Sequence, residues 1–446
     1  MVLMAGILRW FKLEWWMASG RVDYKRGRYQ AALQSFQQLV ALYPQHLLAQ
    51  SYVGACYMSL KQYDDAVLAF ERGLQIKSDS AYCHAELGRA SMYLSRDRDA
   101  IEYLNRALRI SPKYEQKGTY VLALASAYAG MGDYERSSKY YADAVRLLPA
   151  NADAQHGLGW VLRVSGRCRD AEAPLRKAIA LEPDDAAKHN ELAVALFDMD
   201  RWAEAEQEFR NAIRLDPDNP DQHHWLGVTL RNHERLSEEV REYREAIRLN
   251  PEHYEPYWDL GIALTMLEDY EGAIKAYEAA LRLDPSPSFQ LLMSLAVNCA
   301  QCKRWDQLVQ TSEQIVRLYP EEQEGYSHLA YGYLELDRDR EAIEACKVAL
   351  RIQPDFFPTV ANLGISYLKL GMLSEAVSAF KRAIELNPGN AEVRLKLGET
   401  YAKQGDLPEA REQLRVLEEA DPDAAKELCS IVAAASSENP LTLEPQ

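Results

Sequence analysis

Apolar and small residues recur along this chain in two alternating kinds of segment. LGVTL (226–230), LGIAL (260–264) and LGISYL (363–368) carry apolar side chains at helical spacing, and segments such as AEAEQEFRNAIRL (203–215) do so again. Each pair of segments predicts two antiparallel helices. Prolines mark the pairs off: Pro149, Pro183, Pro217, Pro251 and Pro285 stand 34 residues apart, as do Pro320, Pro354, Pro388 and Pro422. Pro44 and Pro112 are 68 apart, with Ser78 at the missing step. With each of these as a thirty-second position, units begin at residues 13, 47, 81, 118, 152, 186, 220, 254, 289, 323, 357 and 391.

Other positions fall into the same frame. The eighth is Gly in eight units and Ala in four (Ala125, Ala193, Ala296, Ala330). The twentieth is Ala in nine, with Ser137, Glu239 and Leu308 as exceptions, and the twenty-fourth is often a ring, as in Phe36, Phe70, Tyr141, Phe209, Tyr243, Tyr277 and Phe380. Small residues at two places let paired helices approach closely while a large ring fills the space beside them. Gly27, Gly132, Gly166, Gly371 and Gly405 fall between the helices, where a left-handed capping residue is wanted. Asp-Pro and Asn-Pro then end the second helix, because the residue before proline avoids helical geometry.

This pattern resembles the tetratricopeptide repeat family, with twelve tandem repeats over residues 13–424. The resemblance implies an all-α fold, a right-handed α-α superhelix in which stacked neighbours bury faces that one hairpin leaves open. Extra residues mark seams near 115–117 and 287–288. An apolar helical segment is expected over 1–12, and a capping helix with a disordered tail over 425–446.

The remaining composition narrows the function. Hydrophobic residues make up 48%, ample for a core, and 51 Lys+Arg against 67 Asp+Glu give a net charge of −16. Such acidity disfavours nucleic acid, whose phosphates are bound by neutralising cations. Seven irregularly spaced cysteines suit free thiols in a reducing compartment. MVLMAGIL lacks the basic residues before it and the cleavage site after it that a secretory signal needs, so a cytoplasmic chain is expected, membrane-peripheral at most.

No Walker loop, GxSxG or HExxH motif is present, and neither a catalytic site nor a cofactor is expected. Cys299 and Cys302 form a lone CxxC, read as core cysteines because no second pair completes a zinc site. His156, His189, His223 and His224 recur near one repeat position, too far apart from unit to unit to share a metal, and are read as structural or ligand-facing.

The resemblance further implies that the fifth, ninth and twelfth positions of the first helices line a concave face that holds protein or peptide segments. In this chain that face is expected at His156, Trp160, Arg163, Asn190, Phe197, His224, Arg231, Trp258, Ile262, Tyr331, Leu334, Ile365 and Leu368. Arg163 and Arg231, read as isolated guanidinium groups, are expected to meet a partner's carboxylates. The competing reading packs these positions into the core or closes the coil on itself. At the front, Trp10, Phe11 and Trp15 lie ahead of the repeat core. They serve as a folded-back cap, a docking surface for a partner or second copy, or an interfacial membrane anchor.

Overall fold

In eleven units the fifteenth place marks where the two helices turn. In the computed structural model, Gly27, Gly132, Gly166, Gly371 and Gly405 sit there with φ between +72° and +82°. Lys61, Ser95, Asp200, Glu268, Lys303 and Asp337 occupy the same place with φ between +54° and +60°. The glycines were legible in the sequence. The six side-chain-bearing residues were not, and they adopt a conformation costing on the order of 1 kcal/mol relative to glycine.

The structure describes the backbone of residues 2–111, 117–232, 235–284 and 286–438, and side chains from residue 13 to residue 436. Within these bounds twelve helical pairs follow one another, from α1 (Val2–Lys25) with α2 (Tyr29–Leu42) to α23 (Ala391–Gln404) with α24 (Leu407–Ala420); α25 (Pro422–Glu438) comes last. No strand occurs among the described residues. The apolar segment over 1–12 lies within α1, which runs unbroken from Val2 into the first repeat. The insertion after Pro112 lies largely outside the described residues, as do Pro285 and the tail from 439. After the second insertion Ser288 caps α17 (Phe289–Gln301), its hydroxyl accepting from the Leu291 amide at 3.2 Å.

The glycine at position eight is explained by what packs on it. A Cβ on Gly20 would lie 2.7 Å from the Phe36 ring; on Gly54 it would lie 2.6 Å from Phe70, and on Gly364 2.6 Å from Phe380. All three rings are fully buried, each worth about 2–3 kcal/mol of apolar transfer. Where position eight is Ala296 or Ala330, the facing residue shrinks to Ser312 or Cys346, both buried. Repeat nine, atypical in sequence at Leu308, Ser312 and Ile315, thus keeps a closed core with its volumes exchanged. At the far end Leu428 of α25 plays the ring's part, 2.5 Å from where a Gly398 Cβ would stand.

The chain divides into two compact units, Met1–Thr229 and Leu230–Gln446. The division falls within α13 (Pro220–Arg231), at neither insertion.

Candidate functional site

In the first unit, α9 (Ala152–Val164) spaces His156, Trp160 and Arg163 about one turn apart, which places them on one face. All three are half-buried. Trp160 meets the Tyr134 ring edge-on at 5.9 Å between centroids. Burial pushes the His156 imidazole below its ordinary range, against the pull of nearby Glu191. The next first helix, α11 (Ala186–Phe197), carries Asn190 and Phe197. The Asn190 amide oxygen is shut away from solvent without a hydrogen-bond partner, and Phe197 packs edge-on against Trp225 at 5.7 Å. His224, half-buried on α13, lies beside the same Trp225 ring.

In the second unit, α15 (Tyr254–Met266) holds Trp258 and Ile262 one turn apart, both half-buried. Tyr331 on α19 (Gln323–Glu335) is half-buried and edge-on to Trp305 at 5.5 Å. Ile365 on α21 (Phe357–Lys369) keeps the same partial exposure.

Five expected contact residues need correction, all at position twelve; the Phe197–Trp225 contact is itself one between neighbouring first helices. Arg163 is not isolated: its Nε donates to Glu191 at 2.5 Å and a second nitrogen lies 3.5 Å from Asp198. Arg231 donates to Glu239 at 2.8 Å, to Asp259 at 2.9 Å and to the Tyr243 hydroxyl at 2.8 Å. The Arg163–Glu191 and Arg231–Asp259 pairs each span 28 residues, from position twelve of one repeat to position six of the next. Position twelve therefore faces the neighbouring first helix, and its arginine is neutralised by the chain itself. For the same reason Leu334 and Leu368 are buried, at 4% and 7% exposure, within the apolar core. Glu239, anomalous at an alanine position, is explained at once: it is fully buried under Arg231. Burial raises its carboxyl and the guanidinium pulls it back down.

The recurring histidines separate into two sets. At position four, His84, His189 and His223 direct Nε2 at the carbonyls of Ser78, Pro183 and Pro217, each six residues earlier, at 3.0–3.2 Å. Gln155 and Arg394 donate to the carbonyls of Pro149 and Pro388 from the same register. These side chains lock the turn between repeats. His156 and His224 stand one place later, at position five, and are half-buried. Cys299 is a buried thiol, pushed up to about 12 by burial, and all seven cysteines are free. Trp15 is 65% exposed, whereas the side chains of Trp10 and Phe11 lie outside the described residues.

One cavity escaped the sequence reading. Tyr24, Tyr63, Tyr82 and Tyr93 help line a space of about 440 Å³ in the first three repeats. Glu86 at its wall is buried, which raises its carboxyl, and takes two contacts of 3.1 Å from Arg89. The run of tyrosines in these repeats was its only signal.

With hairpins, glycine–ring contacts and turn locks in view, the class is a helical repeat protein, and comparison with known proteins specifies it. Family models described as Tetratricopeptide repeat match residues 17–82, 122–186, 157–220, 226–286 and 367–432. The chain belongs to the tetratricopeptide repeat family. Among curated proteins it is 24% identical over 213 residues to the human Protein O-mannosyl-transferase TMTC2, covering 39% of this chain and 25% of that protein. It is 25% identical over 184 residues to the DnaJ homolog subfamily C member 7 homolog of Schizosaccharomyces pombe, covering 37% and 38%. The match thus spans well under half of either relative. Among solved structures, the Cut9-Hcn1 hetero-tetramer of APC/C is similar at 13% identity and TM-score 0.41, over 94% of this chain and 96% of that one. YrrB, described as a TPR protein with an unusual peptide-binding site, is similar at 20% identity and TM-score 0.38, over 45% and 98%.

Proposed function

We propose that this chain is a non-enzymatic scaffold that holds segments of partner proteins against its first helices for complex assembly. One observation carries the reading: Trp160, Trp258, Ile262, Tyr331 and Ile365, at positions five and nine of their first helices, stay only half-buried. Rings kept partly open at a cost in transfer energy suit anchoring pockets, and Trp and Tyr are the common hot-spot types. The first unit contributes Trp160, with His156 and His224 half-buried at position five, and the second unit contributes the other four. The test is cross-linking of the full chain to a co-purified partner, followed by mapping of the linked residues. Cross-links concentrated on α9, α11, α15, α19 and α21 support the reading; cross-links confined to the second helices of the pairs overturn it.

A second reading, an oligomerising or membrane-peripheral subunit acting through α1, is favoured by the 65% exposure of Trp15. Among the described residues no helix is long and apolar enough to cross a membrane. Sedimentation with and without lipid vesicles tests this reading through a Trp15→Ala variant. Loss of a dimer or of vesicle binding supports it, and unchanged behaviour removes it.

A further inference from the structure

The overall charge of −16 is not spread evenly. Residues 1–229 hold 28 Lys and Arg against 29 Asp and Glu, whereas residues 230–446 hold 23 against 38. Nearly the whole excess therefore belongs to the second unit. Within it, the arginine expected to greet an acidic partner is outnumbered, since Arg231 lies between Glu239 and Asp259. A second guanidinium-seeking carboxylate would have to displace bonds of 2.8–2.9 Å already made.

The surroundings of Tyr331 carry the same sign. Tyr331 has its hydroxyl acidity suppressed by burial first, then by Glu335 and Glu392. Neither carboxylate has a cationic partner among the described residues. The Val297 side chain, 38% exposed on α17, adds apolar surface in the same unit. Aromatic faces with unpaired carboxylates nearby attract ammonium and guanidinium groups by cation–π and Coulombic terms together.

We infer that the second unit takes a basic amphipathic partner segment, its apolar side chains on Trp258 and Tyr331 and its Lys or Arg side chains on Glu335 and Glu392. The inference rests on the groove reading above and names the chemistry of its occupant. It reverses the sequence-based expectation of an acidic partner. The physical reason is that Arg163 and Arg231 are consumed within the fold, whereas Glu335 and Glu392 are not.

Fluorescence anisotropy with the full chain tests it. The probes are three labelled 20-residue peptides sharing Leu at i, i+3, i+4 and i+7, with polar positions filled by Lys/Arg, by Glu, or by Ser/Gln. The Lys/Arg peptide should bind at least about tenfold more tightly than the Glu peptide at 50 mM salt, with the gap narrowing at 300 mM. Tyr331→Ala, and separately the pair Glu335→Gln with Glu392→Gln, should each weaken it several-fold, with circular dichroism confirming that the variants fold.

If the Glu or Ser/Gln peptide binds as tightly and Trp258→Ala weakens it, the groove stands and the basic occupant is wrong. If no peptide responds to Trp258→Ala or Tyr331→Ala, the groove reading itself falls and this inference with it. Basic-peptide binding indifferent to every variant marks diffuse attraction to an acidic protein and also overturns the inference. So does a dimer of the free chain that the glutamine pair dissolves, which would make a second copy the occupant.

Discussion

At the scale of single residues, the exceptions to the repeat pattern are the informative ones. Glu239 breaks the run of alanines because Arg231 needs a buried counter-charge. Glu239→Ala leaves that arginine with one carboxylate fewer, and should lower stability by about 3 kcal/mol. Adding Arg231→Met should restore most of the loss, as read from urea midpoints of the single and double variants. The fifteenth position makes a prediction of opposite sign. Glu268 holds φ at +60°, so Glu268→Gly should raise the midpoint by the equivalent of about 1 kcal/mol. Burial lowers the pKa values of His156 and His328 below that of a free imidazole. As pH falls through the unfolded value near 6.5, the unfolded chain takes up protons that the folded chain refuses, and stability drops. A His156→Asn/His328→Asn variant should lose less stability than wild type between pH 7.5 and 5.5. An equal loss would show that neither ring remains neutral in the fold.

At the scale of elements, the helices were legible in the sequence because their causes are local: apolar spacing, small residues where backbones meet, and proline after each second helix. What each first-helix position touches was only half legible. Positions five and nine keep rings half-exposed, as at Trp160, Trp258 and Tyr331. Position twelve is an inter-repeat contact, and no periodicity within one repeat reveals that Arg163 finds Glu191 or that Leu368 is covered. The glycine–ring pairs give the element-scale prediction. In Gly364→Ala the new methyl would meet the Phe380 ring at 2.6 Å, costing about 1–3 kcal/mol of overpacking. Combining it with Phe380→Leu should recover part of that cost, and thermal melts of the two variants check it.

At the scale of the whole molecule, the interior is built from repeated local contacts, and the proposed partner-facing chemistry is set by the side chains left over. Those leftovers are aromatic in both units and acidic in the second. Stability divided among neighbouring repeats lets one such ring be removed without unfolding the chain, which makes the central claim directly measurable. Once a partner segment is identified by cross-linking, its dissociation constant is measured for wild type, Trp160→Ala and Trp258→Ala. The account predicts that at least one truncation costs about 2 kcal/mol, roughly a thirtyfold weakening, while far-ultraviolet circular dichroism stays unchanged. Affinity unchanged in both variants would contradict it.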